Sequence, residues 1–429
     1  MGFLTKRNVI LLSIVILFLR IALLAFIPHP MPSDGRQFEL LGHNLAQGKG
    51  FSIEEGKPYH GIRTFGYPLF IAAQYLIFGR GITIIAVSQQ ILDAITALVV
   101  YLILKRVYNN RNLAYVGAIF WLLNPIGYYY SQSIYTETLK TTLLVMTVYF
   151  FMKIKDSTRF FIHFSISMGF LSLIKETYLF FYFFLTASML YLSYNKTGLS
   201  WNTRDIKQFL IGLACFLFLA NIYGIYNYNR FGFFLNNYTA FTTAFLEGNS
   251  HLMDNYMDYQ NIGYRHNLTD AMGNYERSEK TNMIIRSWII DHPLTLLREV
   301  PKRFIVQTFW SFPSQAVFTL SKETSEATYT YPLKAFKEGV PLKFNMFQWV
   351  YVIVTTIAWT FILIFFLKAL WLLRGERHFA LFTSSLFVML IGIHSIMVPL
   401  PRYLVVTFPF ILISILIYLK DTKIVAQPS

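Results

Sequence analysis

A chain of 429 residues that is 55% hydrophobic, 18% aromatic and only 14% charged carries more apolar surface than one soluble core can bury, so lipid must cover much of it. Its net charge of +15 would suit a nucleic-acid partner, but the Lys and Arg residues fall in short clusters between apolar runs, where the positive-inside rule puts them. Composition and charge placement thus exclude an ordinary soluble domain and argue against nucleic acid.

In chain order, the run NVILLSIVILFLRIALLAFI is too long for a signal-peptide core and no small-residue cleavage site follows it, so it is expected to stay as the first span. Apolar runs long enough to cross a bilayer, roughly 20 residues, predict an all-α polytopic protein of about ten spans. They lie near 8–28, 82–104, 113–129, 134–152, 160–175, 177–194, 208–228, 346–373, 378–398 and 403–419. Lys6 and Arg7, Lys105, Arg106 and Arg111, Lys153, Lys155 and Arg159, Lys196, Arg204 and Lys207, Arg374 and Arg377, and Lys420 and Lys423 all fall on one side of these spans. That side is read as the cytoplasm, with both termini inside. The lone Cys215, inside FLIGLACFLFLA, can form no intrachain disulfide and is expected to pack as a small hydrophobe.

Two long segments then lie outside, giving three parts: a transmembrane module over 1–228 with its first outer loop at 29–81, an extracytoplasmic amphipathic segment over 229–345, and C-terminal helices over 346–429. In the outer loop Phe38, Leu41 and Leu45 repeat at helical spacing before a Gly-rich stop, and GYPLFIAAQYLIFG is short enough to lie in the interface. In the second segment TNMIIRSWIIDHPLTLLREVPKRF alternates apolar and basic residues around Trp288, as helices lying along headgroups do.

Ionisable residues at the outer span ends are Asp34, Arg63, Glu137, Lys175, Glu176 and Arg402. Charges at membrane depth are costly and by default face a cavity or a partner. Asp34, in HPMPSDGRQFELL, either takes a proton from an incoming hydroxyl or caps the following helix together with Ser33. Glu137 opens the fourth span, where a carboxylate complements the helix's positive end, and capping is the reading its position favours. Lys175 and Glu176 interrupt FLSLIKETYLFF. Adjacent helical residues do not face one another, so a mutual ion pair is not expected, and Lys175 is left to meet an anion or to snorkel. Arg402, after two prolines, is suited to hold a phosphate bidentately or, with Tyr403, to anchor at the interface. Arg63 precedes a Gly-Tyr-Pro turn and either approaches a lipid phosphate or touches headgroups. Arg20 and Asp93, inside spans, are read as structural: Arg20 can snorkel and Asp93 can bond a neighbouring helix. The outer histidines make no metal-ligand motif, so no cofactor is assigned and a divalent metal stays open.

Several segments resemble, in order, those of the GT-C glycosyltransferases that use polyprenyl-phosphate sugars, in the branch of protein O-mannosyltransferases and lipid A aminoarabinose transferases. SDGRQFELLGHNLAQGKGF looks like that family's acidic motif and juxtamembrane helix, and RTFGYPLFIAAQYLIFG like its Arg-x-x-Gly-Tyr-Pro segment. LLNPIGYYYSQSIYTETL, LSLIKETYLFF, YNRFGFFLNNYTAFTTAFLEGN, IIDHPLTLLREVPKRF and PRYLVVTFPF follow as later segments. The resemblance implies a GT-C fold with extracytoplasmic juxtamembrane helices and inverting transfer from a polyprenyl-phosphate-linked sugar donor to a lipid, glycan or protein acceptor. It makes Asp34 the catalytic base and Glu137 the second acidic position. Lys175, Arg402, Tyr403 and Arg63 become donor-phosphate positions, at an extracytoplasmic site in the plasma membrane. Many relatives carry an Asp-Glu pair at the first motif, whereas Gly35 follows Asp34 here, so a second carboxylate is absent or moved. A transporter or flippase of a lipid-linked sugar is the alternative, but symmetric halves and paired broken helices are not evident.

Overall fold

The computed structural model describes residues 6–26, 33–53, 63–108, 110–197, 202–232, 234, 377–396 and 406–425, with scattered residues of 283–301 and 346–368. Arg402 and Tyr403 lie outside the described residues, as does most of the segment 229–345. Among the described residues there is no strand. The chain forms two compact units, the first Met1–Thr243 with Asp258–Met283, the second Ala244–Met257 with Ile284–Ser429.

The first unit runs α1 (Lys6–Leu23), α2 (Ser33–Ala46), α3 (Gly66–Phe78), α4 (Ile82–Tyr108), α5 (Arg111–Leu122), α6 (Pro125–Gln132), α7 (Glu137–Lys153), α8 (Phe160–Ile174), α9 (Thr177–Thr197) and α10 (Thr203–Phe231). Helices α4 and α10 are each long and apolar enough to cross a membrane alone, while α3 and α8 are shorter apolar helices. Phe18, Leu19, Phe120, Phe180, Phe184, Leu210 and Phe218 stand exposed. Polar groups instead lie inside: Thr96 and Thr142 share a hydrogen bond at 2.9 Å, and Thr142 also donates to the Leu92 carbonyl. Apolar outside and satisfied polar groups inside is the arrangement lipid demands, because no water reaches an unpaired donor there. Close helix approach does the rest. A Cβ on Gly169 of α8 would lie 2.7 Å from the Leu219 Cβ of α10, so only glycine lets these helices meet.

Two sequence expectations change. The span expected at 113–129 is broken into α5 and α6, because Pro125 has no N–H to continue the ladder and Asn124 caps the new helix by accepting from Ile126 N at 3.0 Å. Arg20 does not snorkel; it is buried and turns into the bundle. Its Nη2 donates to Asp93 Oδ2 at 2.6 Å and Ser131 Oγ at 3.1 Å, and its Nη1 to the Leu122 carbonyl at 3.0 Å. Trp121 Nε1 donates to Asp93 Oδ1 at 2.9 Å, and Tyr128 lies under the guanidinium. Breaking α5 at Asn124 is what exposes the Leu122 carbonyl to Arg20, since a C-terminal helix carbonyl lacks an intrahelical partner.

The helices of this unit alternate, so their ends segregate. At one end Arg106, in the last turn of α4, forks onto Asp156 after α7 at 2.7 and 2.8 Å, and Thr158 donates to Asp205 of α10 at 2.6 Å. Asp156 is held below the usual carboxylate range, first by the Arg106 hydrogen bond. The opposite end gathers α2, α3, the starts of α4, α7 and α9 and the finish of α10. The chain after α2 is fastened there: Phe51 N donates to the Tyr226 hydroxyl at 2.9 Å, Arg230 Nη2 to the Lys49 carbonyl at 2.9 Å, and Phe51 packs with Leu41, Phe65, Leu173 and Tyr223.

In the second unit α11 (Arg377–Ile396) and α12 (Phe408–Val425) pack through Phe382 and Phe410, and Leu363 and Phe366 join Ile411 in a buried cluster. Trp288 is buried and stacked on His292 at 5.7 Å. Ile285, Trp288 and His292 recur at helical spacing on one face, while Met283, Ile290 and Leu294 stand exposed on another.

Candidate active site

Five consecutive residues, Arg63 to Tyr67, connect the acidic and basic positions. Arg63 Nη2 donates to Asp34 Oδ1 at 2.5 Å and Nε to Gln37 Oε1 at 2.8 Å, while the guanidinium covers the Phe38 ring. Asp34 sits in the first turn of α2, and Gln37 one turn on, so the Arg63 fork grips two residues of one helix face. Both charged side chains are mostly buried, at 15% and 16% exposure, which strengthens their attraction over that of a surface pair.

Thr64 then donates its hydroxyl to the Ile174 carbonyl at 2.7 Å, the end of α8. Gly66 lies directly against that end: a Cβ there would fall 2.8 Å from the Leu173 carbonyl carbon and 2.9 Å from Ile174 N, both backbone atoms. Lys175 follows in extended geometry, φ −153° and ψ 119°, and caps α8. Here the sequence expectation is overturned. Because α8 stops at Ile174, Lys175 and Glu176 are not neighbours on a continuous helix, and Lys175 Nζ stands 3.4 Å from Glu176 Oε1. Gly66→Ala is therefore expected to cost about 1–3 kcal/mol of stability, from overpacking against backbone that cannot move aside. It should also depress activity by shifting the 63–67 run, and Arg63 with it, from the end of α8. Thermal unfolding in detergent together with a turnover assay checks both, and an unchanged melting temperature would refute the tight seat.

Tyr67 closes the run. Its hydroxyl donates to Gln89 Oε1 at 2.9 Å, and Gln89 Nε2 donates in turn to the carbonyls of Ser131 and Ser133, fixing the turn that leads to Glu137. Burial, and next the negative charge of Glu137, push the Tyr67 phenol well above its ordinary range, so it stays a hydrogen-bond donor. Glu137 is buried at the start of α7, where its Oε1 accepts from Lys140 Nζ at 3.1 Å. Its carboxylate thus has a side-chain partner one turn along, beyond the capping reading of its position.

The structure brings Asp34, Arg63, Lys175 and Glu137 to one end of one unit, joined through the 63–67 run. A further polar cluster, which the sequence reading missed, backs them. Glu39, on α2, accepts both Nε and Nη2 of Arg80 at 2.9 and 3.0 Å and the Tyr75 hydroxyl at 2.9 Å. Burial and then the Glu39 charge raise the Tyr75 phenol. Three donors on one buried carboxylate pin α2 to α3, so this group supports the site. Only its i, i+5 offset from Asp34 on α2 hinted at a separate face.

One end of this unit thus holds a carboxylate, two cations and a second carboxylate. The family described as dolichyl-phosphate-mannose-protein mannosyltransferase matches residues 62–223, from the hub through most of α10, and includes Arg63, Glu137 and Lys175. Over these residues the chain is similar to that mannosyltransferase family. Among solved structures, ArnT from Cupriavidus metallidurans bound to undecaprenyl phosphate is similar at 13% identity and a TM-score of 0.41, over 96% of this chain and 77% of that one. No curated protein matches the sequence.

Proposed function

We propose that the chain transfers a sugar from a polyprenyl-phosphate donor to an acceptor hydroxyl on the extracytoplasmic side of the plasma membrane, with inversion. The observation that supports the reading is the Arg63–Tyr67 run, in which Arg63 bonds Asp34 and the next residue, Thr64, bonds the Ile174 carbonyl one residue before Lys175. Asp34 accepts the proton of the attacking hydroxyl, with Arg63 orienting the carboxylate. Lys175 and Arg63 stabilise the departing lipid phosphate, a role the resemblance also assigns to Arg402 and Tyr403. Glu137 holds the second acidic position, set by Lys140 and by the Gln89-anchored turn. The opposite bundle end carries Arg106, Lys153, Lys155, Arg159 and Arg204, which supports placing it in the cytoplasm together with both termini. The division into catalytic helices up to 228, an outer amphipathic segment and C-terminal helices from 346 belongs to this reading.

Purified protein in proteoliposomes, given undecaprenyl-phosphate sugars and candidate acceptors, tests it by mass spectrometry of released undecaprenyl phosphate and glycosylated product. Movement of the lipid-linked sugar between leaflets without transfer would replace this reading with a transporter. Lys175→Met is expected to lower turnover about a hundredfold, the scale of one preorganised charge donor at a developing anion. Lys175→Arg keeps a cation beside Glu176 and should retain the folded yield, separating lost charge stabilisation from misfolding.

A further inference from the structure

Glu176 is buried to 2% exposure, and neither carboxylate oxygen accepts a hydrogen bond from a described residue. Oε1 has the Lys175 ammonium at 3.4 Å, outside hydrogen-bond geometry, and the next hydroxyl, Thr177 Oγ1, is likewise buried without a hydrogen-bond partner. A buried carboxylate with open lone pairs is costly to keep, so this one is built to receive donors from something that binds. A metal ion fits poorly, since no three His, Cys, Asp or Glu side chains stand together among the described residues. A hydroxyl-bearing ligand fits well, because each O–H supplies one donor and the ion stays compensated by Lys175.

The pairing of cation and carboxylate narrows the ligand further. In a glycosyl phosphate the anionic phosphate and the 2-hydroxyl sit on adjacent ring carbons, which matches an ammonium and a carboxylate side by side on consecutive residues. Resting on the donor reading above, we infer that Glu176 accepts the hydrogen bond of the donor sugar's 2-hydroxyl while Lys175 meets its phosphate. Glu176 is then a specificity determinant that distinguishes 2-hydroxy from 2-deoxy donors. Hydrogen bonds to a sugar 2-hydroxyl strengthen as the ring gains oxocarbenium character, so the contact acts on kcat more than on KM.

The test is a cycle between protein and substrate. Undecaprenyl-phosphate mannose, glucose, galactose and arabinose are offered to the wild-type protein in proteoliposomes, and the one transferred is compared with its 2-deoxy counterpart in wild type and in Glu176→Gln. Replacing a charged acceptor by a neutral one should lower kcat about tenfold on the 2-hydroxy donor and less than twofold on the 2-deoxy donor. Thr177→Val, which keeps the carboxylate, should leave the 2-deoxy penalty of the wild type in place. An equal loss on both donors, as misplacement of Lys175 or a folding defect would give, overturns the subsite. Transfer from none of the four sugars overturns the donor reading beneath it.

Discussion

Asp34→Asn should reduce transfer by about 10²–10⁴-fold, the range over which a positioned general base contributes, while the protein still purifies as a folded, monodisperse species. The amide is nearly isosteric with the carboxylate and can still accept from Arg63 Nη2, while Arg63 Nε keeps its bond to Gln37. The contact between α2 and the 63–67 run therefore survives, and only the capacity to take a proton is removed. Single-turnover transfer measured beside the melting temperature separates the two effects. Turnover close to wild type by a folded Asp34→Asn protein would take Asp34 out of the chemistry and leave it as the helix-start residue its position also suits.

The second large effect is on folding. Asp93→Ala strands the Arg20 guanidinium in the bundle, leaving it the Ser131 hydroxyl and Leu122 carbonyl as acceptors among the described residues, and removes the acceptor of Trp121 Nε1. Removing one partner of a buried pair costs about 3–5 kcal/mol, whereas replacing both by apolar groups of similar volume is often near neutral. The expected result is that Asp93→Ala loses most of its folded yield in detergent, while Arg20→Met with Asp93→Leu recovers much of it. Equal yields of Asp93→Ala and wild type would show that water or lipid headgroups reach Arg20.

Much of this fold could be read in the sequence, because lipid imposes a strong pattern. The helices at 82–104 and 208–228, and α2 with its inward Phe38 and Leu41, follow from apolar run length and helical spacing. The break between α5 and α6 was signalled by Asn124-Pro125, but the unbroken apolar run across WLLNPIGYYY outweighed it. The direction of Arg20 could not be read, since a single cation in an apolar helix carries no record of which neighbour it meets. Nor could the Lys175–Glu176 contact. The rule that adjacent side chains diverge holds only on a continuous helix, and neither the stop at Ile174 nor its seat against Gly66, 108 positions away, is marked by spacing. The Asp34–Arg63 and Thr64–Ile174 bonds are long-range for the same reason: spacing predicts faces, while partners are chosen by tertiary packing. Arg402 and Tyr403, assigned by resemblance, lie outside the described residues.

The Arg20–Asp93 pair also sets a timetable. The two residues are separated by 73 positions, so α1 leaves the ribosome with a guanidinium whose countercharge has not yet been made. At 5–20 residues per second the interval is about 4–15 s. For that time α1 carries in its last turn an arginine that opposes partition into lipid by up to about 2.5–3.5 kcal/mol, until α4 arrives to neutralise it. The first helix is thus retained by the fourth, and a chain truncated before Asp93 should be extracted from membranes by alkaline wash where the longer chain resists.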